Sequence, residues 1–259
     1  MEKSHNDYID IIGTTCATGR NRAEICWNKY YFISYVRAVN SLLSGVETQG
    51  RSVLDVGTSH GNWYSFLKSK GFKEIYGVEL YKERALQAQA CGYTKMYNCD
   101  AASIPHPSES IDVAMSNDVF VHILRMQDKE AILKEILRVL KPGGTLIFNH
   151  TMSSAQLYTG YTIAGHCSYL SLDEFIGLVR DKAGFSILDL KPTYYHHRAG
   201  IKCKINSLMR RLITFPFIPG LMQVADAMNA NHLPLEMSET VYIKAKKTFD
   251  QDIVRKNDH

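Results

Sequence analysis

The segment from Val53 to Gly61 has the composition and spacing of a ligand-binding turn. It reads Val-Leu-Asp-Val-Gly-Thr-Ser-His-Gly, an apolar run that leads into two glycines and then into a helical pattern. Glycine lets the backbone adopt positive φ and approach a ligand closely, and the start of a helix offers free N–H groups. We therefore expect a nucleotide-like ligand here, although a plain strand-to-helix turn also uses glycine.

A dinucleotide-binding turn is the first alternative, because dehydrogenases carry Gly-x-Gly-x-x-Gly after their first strand. With Gly57 as the first glycine, Ser59 and Asn62 occupy the second and third glycine positions. Two of the three glycines are missing, including the one that permits close helix packing. The spacing therefore disfavours a dehydrogenase.

Two acidic residues follow later strands of the pattern. Glu79 closes the predicted strand Ile75–Glu79, where a carboxylate can accept hydrogen bonds from both hydroxyls of a ribose. Asp100 lies in the turn Asn98–Ala102, after the third strand. The alternatives are an exposed glutamate at a strand end and a surface aspartate in a turn, which is a favoured position for aspartate.

Together these segments resemble the class I methyltransferases. Asp55, Gly57, Ser59 and Gly61 occupy the four defined positions of motif I, Asp-x-Gly-x-Gly-x-Gly, and only Ser59 departs from it. Further similarity to the ubiquinone-methyltransferase-like branch lies in Ser116–His122 and Arg138–Gly144, and the resemblance covers roughly residues 50 to 150. It implies S-adenosylmethionine as the cofactor and S-adenosylhomocysteine as its product.

The resemblance also implies roles for individual residues. Asp55 orders the turn and Gly57 contacts the methionine part of the cofactor through its backbone. Glu79 binds the ribose, while Leu80 packs on the adenine. The adenine edge is read by the Asp100 side chain and the Ala101 N–H. Thr58, Ser59, Gly61 and Asn117 complete the predicted cofactor site.

Methyl transfer depends mainly on alignment of the nucleophile, and a general base is needed only for a hydroxyl or a protonated amine. His122 is the best predicted base, because it lies just beyond the fourth strand and histidine titrates near neutrality. Local packing is the alternative role for this side chain. His60 and His150 are weaker candidates, and Trp63 is expected either in the core or beside the site.

Strands alternate with helices along the chain, which predicts βαβ crossovers and a parallel sheet. The predicted strands with clear bounds are Ser52–Val56, Glu74–Val78, Ile111–Met115, Thr145–Asn149, Phe185–Leu190 and Thr240–Ala245. The predicted helices are Asn28–Leu43, Asn62–Lys70, Lys82–Cys91, Asp128–Leu140 and Ser171–Lys182, and Lys141–Gly144 is expected to form a turn.

We therefore predict an α/β fold, a doubly wound Rossmann-like domain. The resemblance implies seven strands in the order 3-2-1-4-5-7-6. A single methyltransferase domain would span 1–259, with an N-terminal helical lid over 1–50, a cofactor-binding core over 51–150 and an insertion that caps the acceptor over 193–239.

Composition narrows the expected partners, metals and location of the protein. The net charge of +4 is small and dense Lys/Arg tracts are missing, so nucleic acid is not an expected partner. The scattered cysteines show no zinc-binding spacing, and no metal is predicted. Because the N-terminal ten residues are polar and the apolar run Leu212–Ala225 is too short to span a membrane, a soluble, cytoplasmic protein is expected.

The sequence leaves the acceptor open. The leading prediction is an O or N nucleophile on a small molecule: a metabolite, a sugar or a natural-product intermediate. The first alternative, a lipid or quinone methylated at a membrane surface, is motivated by the basic amphipathic pattern near Ile201–Leu212, though a cap helix is favoured there. The second is a non-catalytic module that binds S-adenosylmethionine for regulation. Acceptor selection is expected from Thr151–Leu170 and Thr193–Glu239.

Overall fold

The computed structural model describes residues 22–153, 167–193 and 238–248, together with Leu221, Val224 and Leu235. Most of the predicted insertion over 193–239 lies outside these residues, as does most of the predicted acceptor segment Thr151–Leu170. The described part contains one seven-stranded sheet with helices on both faces.

The seven strands form a single mixed sheet in the order β3-β2-β1-β4-β5-β7-β6. The strands β1 to β5 run parallel, and β7 pairs antiparallel with both β5 and β6. Their bounds are β1 Ser52–Val56, β2 Glu74–Val78, β3 Lys95–Tyr97, β4 Ile111–Ser116, β5 Leu140–Thr151, β6 Phe185–Pro192 and β7 Thr240–Lys247. The predicted fold class and strand order are confirmed.

Within the described ranges the α-helices are α1 Arg22–Leu42, which precedes β1, and then α2 Tyr64–Ser69, α3 Lys82–Ala90, α4 Met126–Val139 and α5 Leu172–Gly177. The capping box predicted from Ser171 and Glu174 is present, with each side chain bonding the backbone N–H of the other residue. After α5 the chain continues as a π-helix over Leu178–Lys182, so the predicted helix extends to its expected end with a wider last turn. A 3₁₀ turn over Phe120–His122 follows β4.

The prediction of a turn at Lys141–Gly144 was wrong in its boundary. Helix α4 ends at Val139 and β5 begins at once with Leu140, which pairs with Ile111 of β4. The proline and glycines break the ladder within the strand instead, since the register shifts between Ile111 and Val113 and Gly143 has a φ of 77°. The segment is thus a strand with a local irregularity, not a separate loop.

Apolar side chains fill both faces of the sheet. On one face, α4 buries Ile132, Leu133 and Ile136 against the sheet. On the other, Val39 and Leu42 of α1 are fully buried. A parallel sheet covered on both faces holds its strand ends rigidly, which fixes the turns that follow β1 to β4. No helix among the described residues is both long and apolar enough to cross a membrane.

Candidate active site

A cavity of about 870 Å³ opens at the carboxyl ends of β1, β2, β3 and β4. This volume is in the usual range for a small-molecule site. Nine of the residues predicted for the site line the cavity: Gly57, Thr58, Ser59, Glu79, Leu80, Asp100, Ala101, Asn117 and His122. Side chains of α1, including Tyr31, Phe32 and Tyr35, also line it. The sheet edge therefore brings together most of the residues that the sequence identified.

The glycine turn after β1 has no room for side chains. Gly57 has a φ of 79°, and a Cβ there would lie 2.1 Å from Cγ2 of Val119. Gly61 has a φ of 85°, and its Cβ would lie 2.8 Å from Sγ of Cys91. Both glycines are needed for conformation and for space. Gly61 packs against α3 and lies away from the cavity wall, so its role is to shape the turn.

Ser59, which departs from motif I, also adopts the left-handed conformation with a φ of 51°. A glycine would take this conformation without strain, whereas serine does so at a cost. The turn therefore keeps its shape despite the substitution. The Ser59 hydroxyl lies 3.0 Å from Nδ1 of the exposed His60.

Backbone hydrogen bonds hold the turn in place. The N–H groups of Gly57 and Thr58 both donate to the carbonyl of Val78, and Gly61 N–H donates to Thr58 O. Because these donors are already paired, Gly57 has its carbonyl oxygen, not its N–H, to offer a ligand. Such an oxygen suits a ligand that donates hydrogen bonds.

Asp55 lies beneath the turn in β1 and is 1% exposed. Its Oδ2 accepts a 2.6 Å hydrogen bond from the Tyr93 hydroxyl. Burial raises the pKa of Asp55 to about 7, against the opposing effect of the Tyr93 hydrogen bond. Asp55 is absent from the cavity lining and its side chain bonds Tyr93, so its predicted role of ordering the turn stays a prediction.

Glu79 is fixed in the cavity wall and is 6% exposed. Its Oε2 accepts from the Ser59 N–H at 2.9 Å, and its Oε1 accepts from the Tyr81 N–H at 3.0 Å. Each carboxylate oxygen has a further lone-pair direction, so the side chain can still accept two hydroxyl groups. Asn98 orients the following backbone by donating to the carbonyls of Glu79 and Leu80.

Asp100 both forms a turn and lines the cavity. Its Oδ1 accepts from the Ala102 N–H at 2.8 Å, the local bond expected of an aspartate in a turn. Asp100, Ala101 and the exposed Leu80 all border the cavity next to Glu79. Asp100 is thus a turn aspartate that also borders the cavity, and its role toward adenine stays a prediction.

The turn after β4 carries a carboxylate that the sequence reasoning missed. Asp118 follows Asn117 in the cavity wall and has a φ of 55°. Burial raises its pKa, while hydrogen bonds from Asn149 and Tyr35 act in the opposite direction. The Oδ1 of Asn117 accepts from Tyr242, and its buried Nδ2 has no partner among the described residues. An aspartate directly after a predicted strand was the available signal.

The histidines fall into different environments. His122 is exposed, ends the 3₁₀ turn and lines the cavity, with its Nδ1 3.8 Å from Sγ of Cys167. His150 is 1% exposed and outside the cavity lining, and burial lowers its pKa to about 4. His60 is likewise absent from the lining. Trp63 is both core and site, since it packs against Phe32 and also borders the cavity.

A buried lysine, also missed from the sequence, braces the turn that carries His122. Lys129 of α4 is 1% exposed and donates to the carbonyls of Phe120 and Ile123 and to Oγ of Ser168, the last at 2.7 Å. Burial lowers its pKa to about 8. Its place on the apolar face of a predicted helix hid this function, because lysines are seldom fully buried.

Part of the chain is similar in sequence to a known protein family. Residues 54–148 match the family model described as a methyltransferase domain. These residues are thus similar to a methyltransferase domain and make up less than half of the chain. The strand order agrees with this match, because it is the order of a Rossmann-like methyltransferase fold. S-adenosylmethionine is the cofactor of the class I methyltransferases that the sequence resembles. The match does not confirm the predicted ubiquinone-like branch.

Individual relatives are distant. An O-methyltransferase of Penicillium expansum is 26% identical over 55% of this chain and 54% of its own length. Phosphoethanolamine N-methyltransferase 1 of Arabidopsis thaliana is 29% identical over 39% of this chain and 21% of its own. The chain thus spans about half the length, or less, of such curated relatives.

A solved structure shares the fold of most of this chain. It is a chain from the complex between the Haloferax volcanii methyltransferase activator Trm112 and a methyltransferase, with a TM-score of 0.60 and 18% identity. The match covers 92% of this chain and 98% of that one. At this identity the likeness bears on the fold alone.

Proposed function

We propose that this protein binds S-adenosylmethionine and transfers its methyl group to an O or N nucleophile of a small-molecule acceptor. One observation carries the proposal: Glu79 and Asp100, after adjacent strands, face the same cavity as the turn Asn117–His122. Acidic groups for a nucleoside and polar groups for a second molecule thus share one space. The match of residues 54–148 to a methyltransferase domain supports the same function.

The residues present fit the cofactor. Glu79 offers two carboxylate oxygens to the ribose hydroxyls, and the free oxygen of Asp100 can accept from the exocyclic amine of adenine. The Gly57 carbonyl suits the ammonium of the methionine part. When bound, the cofactor supplies an electrophilic methyl group on a sulfonium, which is a good leaving group.

The chain's own contribution is to align the acceptor and exclude water. Intramolecular analogues indicate that alignment can contribute about 7–11 kcal/mol to such a step. Aromatic side chains of α1 line the cavity, and Tyr35 among them hydrogen-bonds Asp118 in the turn Asn117–His122, so α1 helps to enclose the space in which an acceptor would meet the methyl group. A transferase that excludes water avoids hydrolysis of its donor.

His122 is the proposed proton acceptor for a hydroxyl or ammonium acceptor. It is exposed and borders the cavity in the same turn as Asp118. A general base of this kind typically adds about 10²–10⁴-fold in rate. His122→Ala should therefore lower kcat most where an imidazole is neutral and the acceptor still carries its proton, and the loss should shrink at a pH that deprotonates the acceptor. Turnover that is unchanged at every pH would eliminate this role.

The relatives leave the acceptor atom open, because their names include an O-methyltransferase and an N-methyltransferase. The lipid or quinone alternative rests on residues 201–212, which lie outside the described residues. Small-molecule transfer is therefore the function that the described cavity supports best.

A direct test uses cofactor labelled in the methyl group. The purified protein is incubated with labelled S-adenosylmethionine and a deproteinised metabolite extract, and the label in products other than the cofactor is counted. We expect time-dependent transfer that unlabelled S-adenosylhomocysteine inhibits. Binding of the cofactor without transfer to any extract would favour the regulatory module instead.

A further inference from the structure

The two acidic ends of the cavity lie far apart along the sheet edge. Asp100 follows β3 and Asp118 follows β4, and the order β3-β2-β1-β4 separates them by three strand intervals. At about 4.8 Å per interval this amounts to roughly 14 Å. Glu79 and Asp100 account for a nucleoside at one end, so Asp118 belongs to the other end, which the methionine part of the cofactor shares with the second molecule.

The carboxylate of Asp118 is held rigidly. Asn149 of β5, itself 1% exposed, donates from Nδ2 to Oδ1 of Asp118 at 2.8 Å and accepts from the Asp118 N–H at 2.7 Å. Tyr35 of α1 also hydrogen-bonds the Asp118 side chain. Two elements distant in sequence from the turn thus converge on one side chain. Such a fixed group suits recognition of a ligand.

This carboxylate lacks a cationic partner. Among the described residues Asp118 forms no ion pair with a lysine or arginine, and the charged groups that act on it are His122 and the like-charged Glu239. Within the described lining of the cavity, Arg84 is the one lysine or arginine, and it lies on α3 beside Tyr81. A desolvated carboxylate that has neutral hydrogen-bond donors but no lysine or arginine beside it favours a cationic ligand. Its left-handed backbone is a further mark of a functional position.

Aromatic rings of α1 line the same cavity, and Tyr35 places one of them beside Asp118. Tyr31, Phe32 and Tyr35 of α1 line it, and the Tyr35 ring packs edge-on against Tyr242 at 5.8 Å. Aromatic faces attract ammonium groups, and they do so more strongly when water is excluded. A carboxylate beside aromatic rings is therefore a combination that selects an alkylammonium over a neutral alcohol or an anion.

We propose that the acceptor is a primary or secondary amine, bound as its ammonium ion by Asp118 and the aromatic rings of α1. This inference rests on the proposed function and names the substrate class of the same site. The ammonium first gives a proton to His122, which passes it to solvent. The amine lone pair then forms a bond to the methyl carbon while the carbon–sulfur bond breaks, and sulfur keeps that electron pair. The product is a methylated ammonium ion.

Selective blocking of amines tests the class of acceptor. A metabolite extract is treated at pH 8 with the N-hydroxysuccinimide ester of acetic acid, which acylates primary and secondary amines, and the reagent is then hydrolysed. Label transfer from S-adenosylmethionine is compared with that to a mock-treated extract. We expect acylation to remove at least about nine-tenths of the transferred label. Transfer that survives acylation would overturn the amine assignment.

Variants test the residue. Asp118→Asn keeps the shape and the left-handed conformation, which asparagine tolerates. With the amine-containing extract it should lower kcat/KM at least about 30-fold, as expected when one partner of a desolvated charge pair is removed. The affinity for S-adenosylmethionine in calorimetry should stay within about 3-fold. The control is Asp173→Asn, an exposed aspartate in α5, which should change neither.

The failures of the two proposals are distinguishable. Loss of cofactor affinity in Asp118→Asn would show that the carboxylate serves the cofactor and would overturn the amine inference alone. Unchanged kcat/KM in this variant would do the same. Cofactor binding without transfer to any extract, or no cofactor binding, would overturn the proposed function and the amine inference together.

Discussion

The two ends of the cavity are built by different means. The end around Glu79 consists of turns that directly follow β1, β2 and β3, and it is held largely by backbone N–H and carbonyl groups. The end around Asp118 consists of side chains drawn from α1, β5 and β7 to the turn after β4. The first end depends on backbone conformation and space, and the second on long-range polar contacts.

This difference predicts which changes each end tolerates. Added atoms should damage the Glu79 end most, because its glycines leave no room. Removal of polar partners should damage the Asp118 end most, because a buried polar group without a partner costs about 1–3 kcal/mol. The four changes below test this contrast, beginning with the largest expected effect.

Gly57→Ala should destabilise the fold by about 3–5 kcal/mol and abolish measurable cofactor binding. Its Cβ would overlap Cγ2 of Val119 in addition to the strain of a positive φ. Gly45→Ala is the matched control, since Gly45 has a φ of 74° and open space around it. This control should lose only about 1–2 kcal/mol in chemical denaturation. Equal losses in the two variants would contradict the tight packing of the turn.

Asp55 should make stability depend on pH. Its folded pKa of about 7 exceeds the unfolded value of about 4, so the folded state binds the extra proton between these limits. The stabilising contribution is complete below pH 4 and is lost as the pH rises through 7. The free energy of unfolding of the wild type, minus that of Asp55→Asn, should fall by up to roughly 4 kcal/mol across this window. A difference that stays flat with pH would refute the buried, protonated Asp55.

Lys129→Met removes the brace of the turn Phe120–Ile123 while keeping most of the side-chain volume. The carbonyl groups of Phe120 and Ile123 would lose the buried ammonium that donates to them. We therefore expect a loss of about 1–3 kcal/mol in the free energy of unfolding, together with lower methyl-transfer activity. Lys134→Met on the same helix is the control, because Lys134 forms an exposed pair with Glu130. That variant should lose less than about 1 kcal/mol. Matching losses would show that Lys129 has no special role.

Ser59→Gly is the smallest expected change and the only stabilising one. It relieves a φ of 51°, which should raise the free energy of unfolding by about 0.5–1 kcal/mol while cofactor affinity stays within about 3-fold. Glu109→Gly, at a φ of 53° outside the cavity lining, provides the comparison. A large loss of cofactor affinity in Ser59→Gly alone would mean that the Ser59 hydroxyl contacts the ligand.

The same contrast explains what the sequence could predict. The end around Glu79 is local in sequence: each residue directly follows a strand, so motif spacing alone located Gly57, Glu79 and Asp100. The end around Asp118 is not local, since Asn149 and Tyr242 lie 31 and 125 residues from their hydrogen-bond partners. Helix and strand periodicity alone does not determine which strands pair. The strand order was therefore predicted only from the family resemblance.

Boundary errors have a physical origin as well. Pro142 and its two following glycines are typical of a turn, yet they lie within β5 because Leu140 and Thr145 on either side of them pair with β4. Lys129 was overlooked because a buried ammonium bound only by carbonyls and a hydroxyl leaves no charge pattern in the sequence. Local propensity fails where tertiary contacts supply the missing partner.

Isothermal calorimetry with S-adenosylmethionine on the wild type, Glu79→Gln and Glu83→Gln tests the central claim most directly. Glu83 is an exposed glutamate of α3 outside the cavity lining, four residues beyond Glu79. The account predicts binding to the wild type and to Glu83→Gln, and at least about 10-fold weaker binding to Glu79→Gln. Absence of binding to the wild type, or equal affinity in all three proteins, would contradict it.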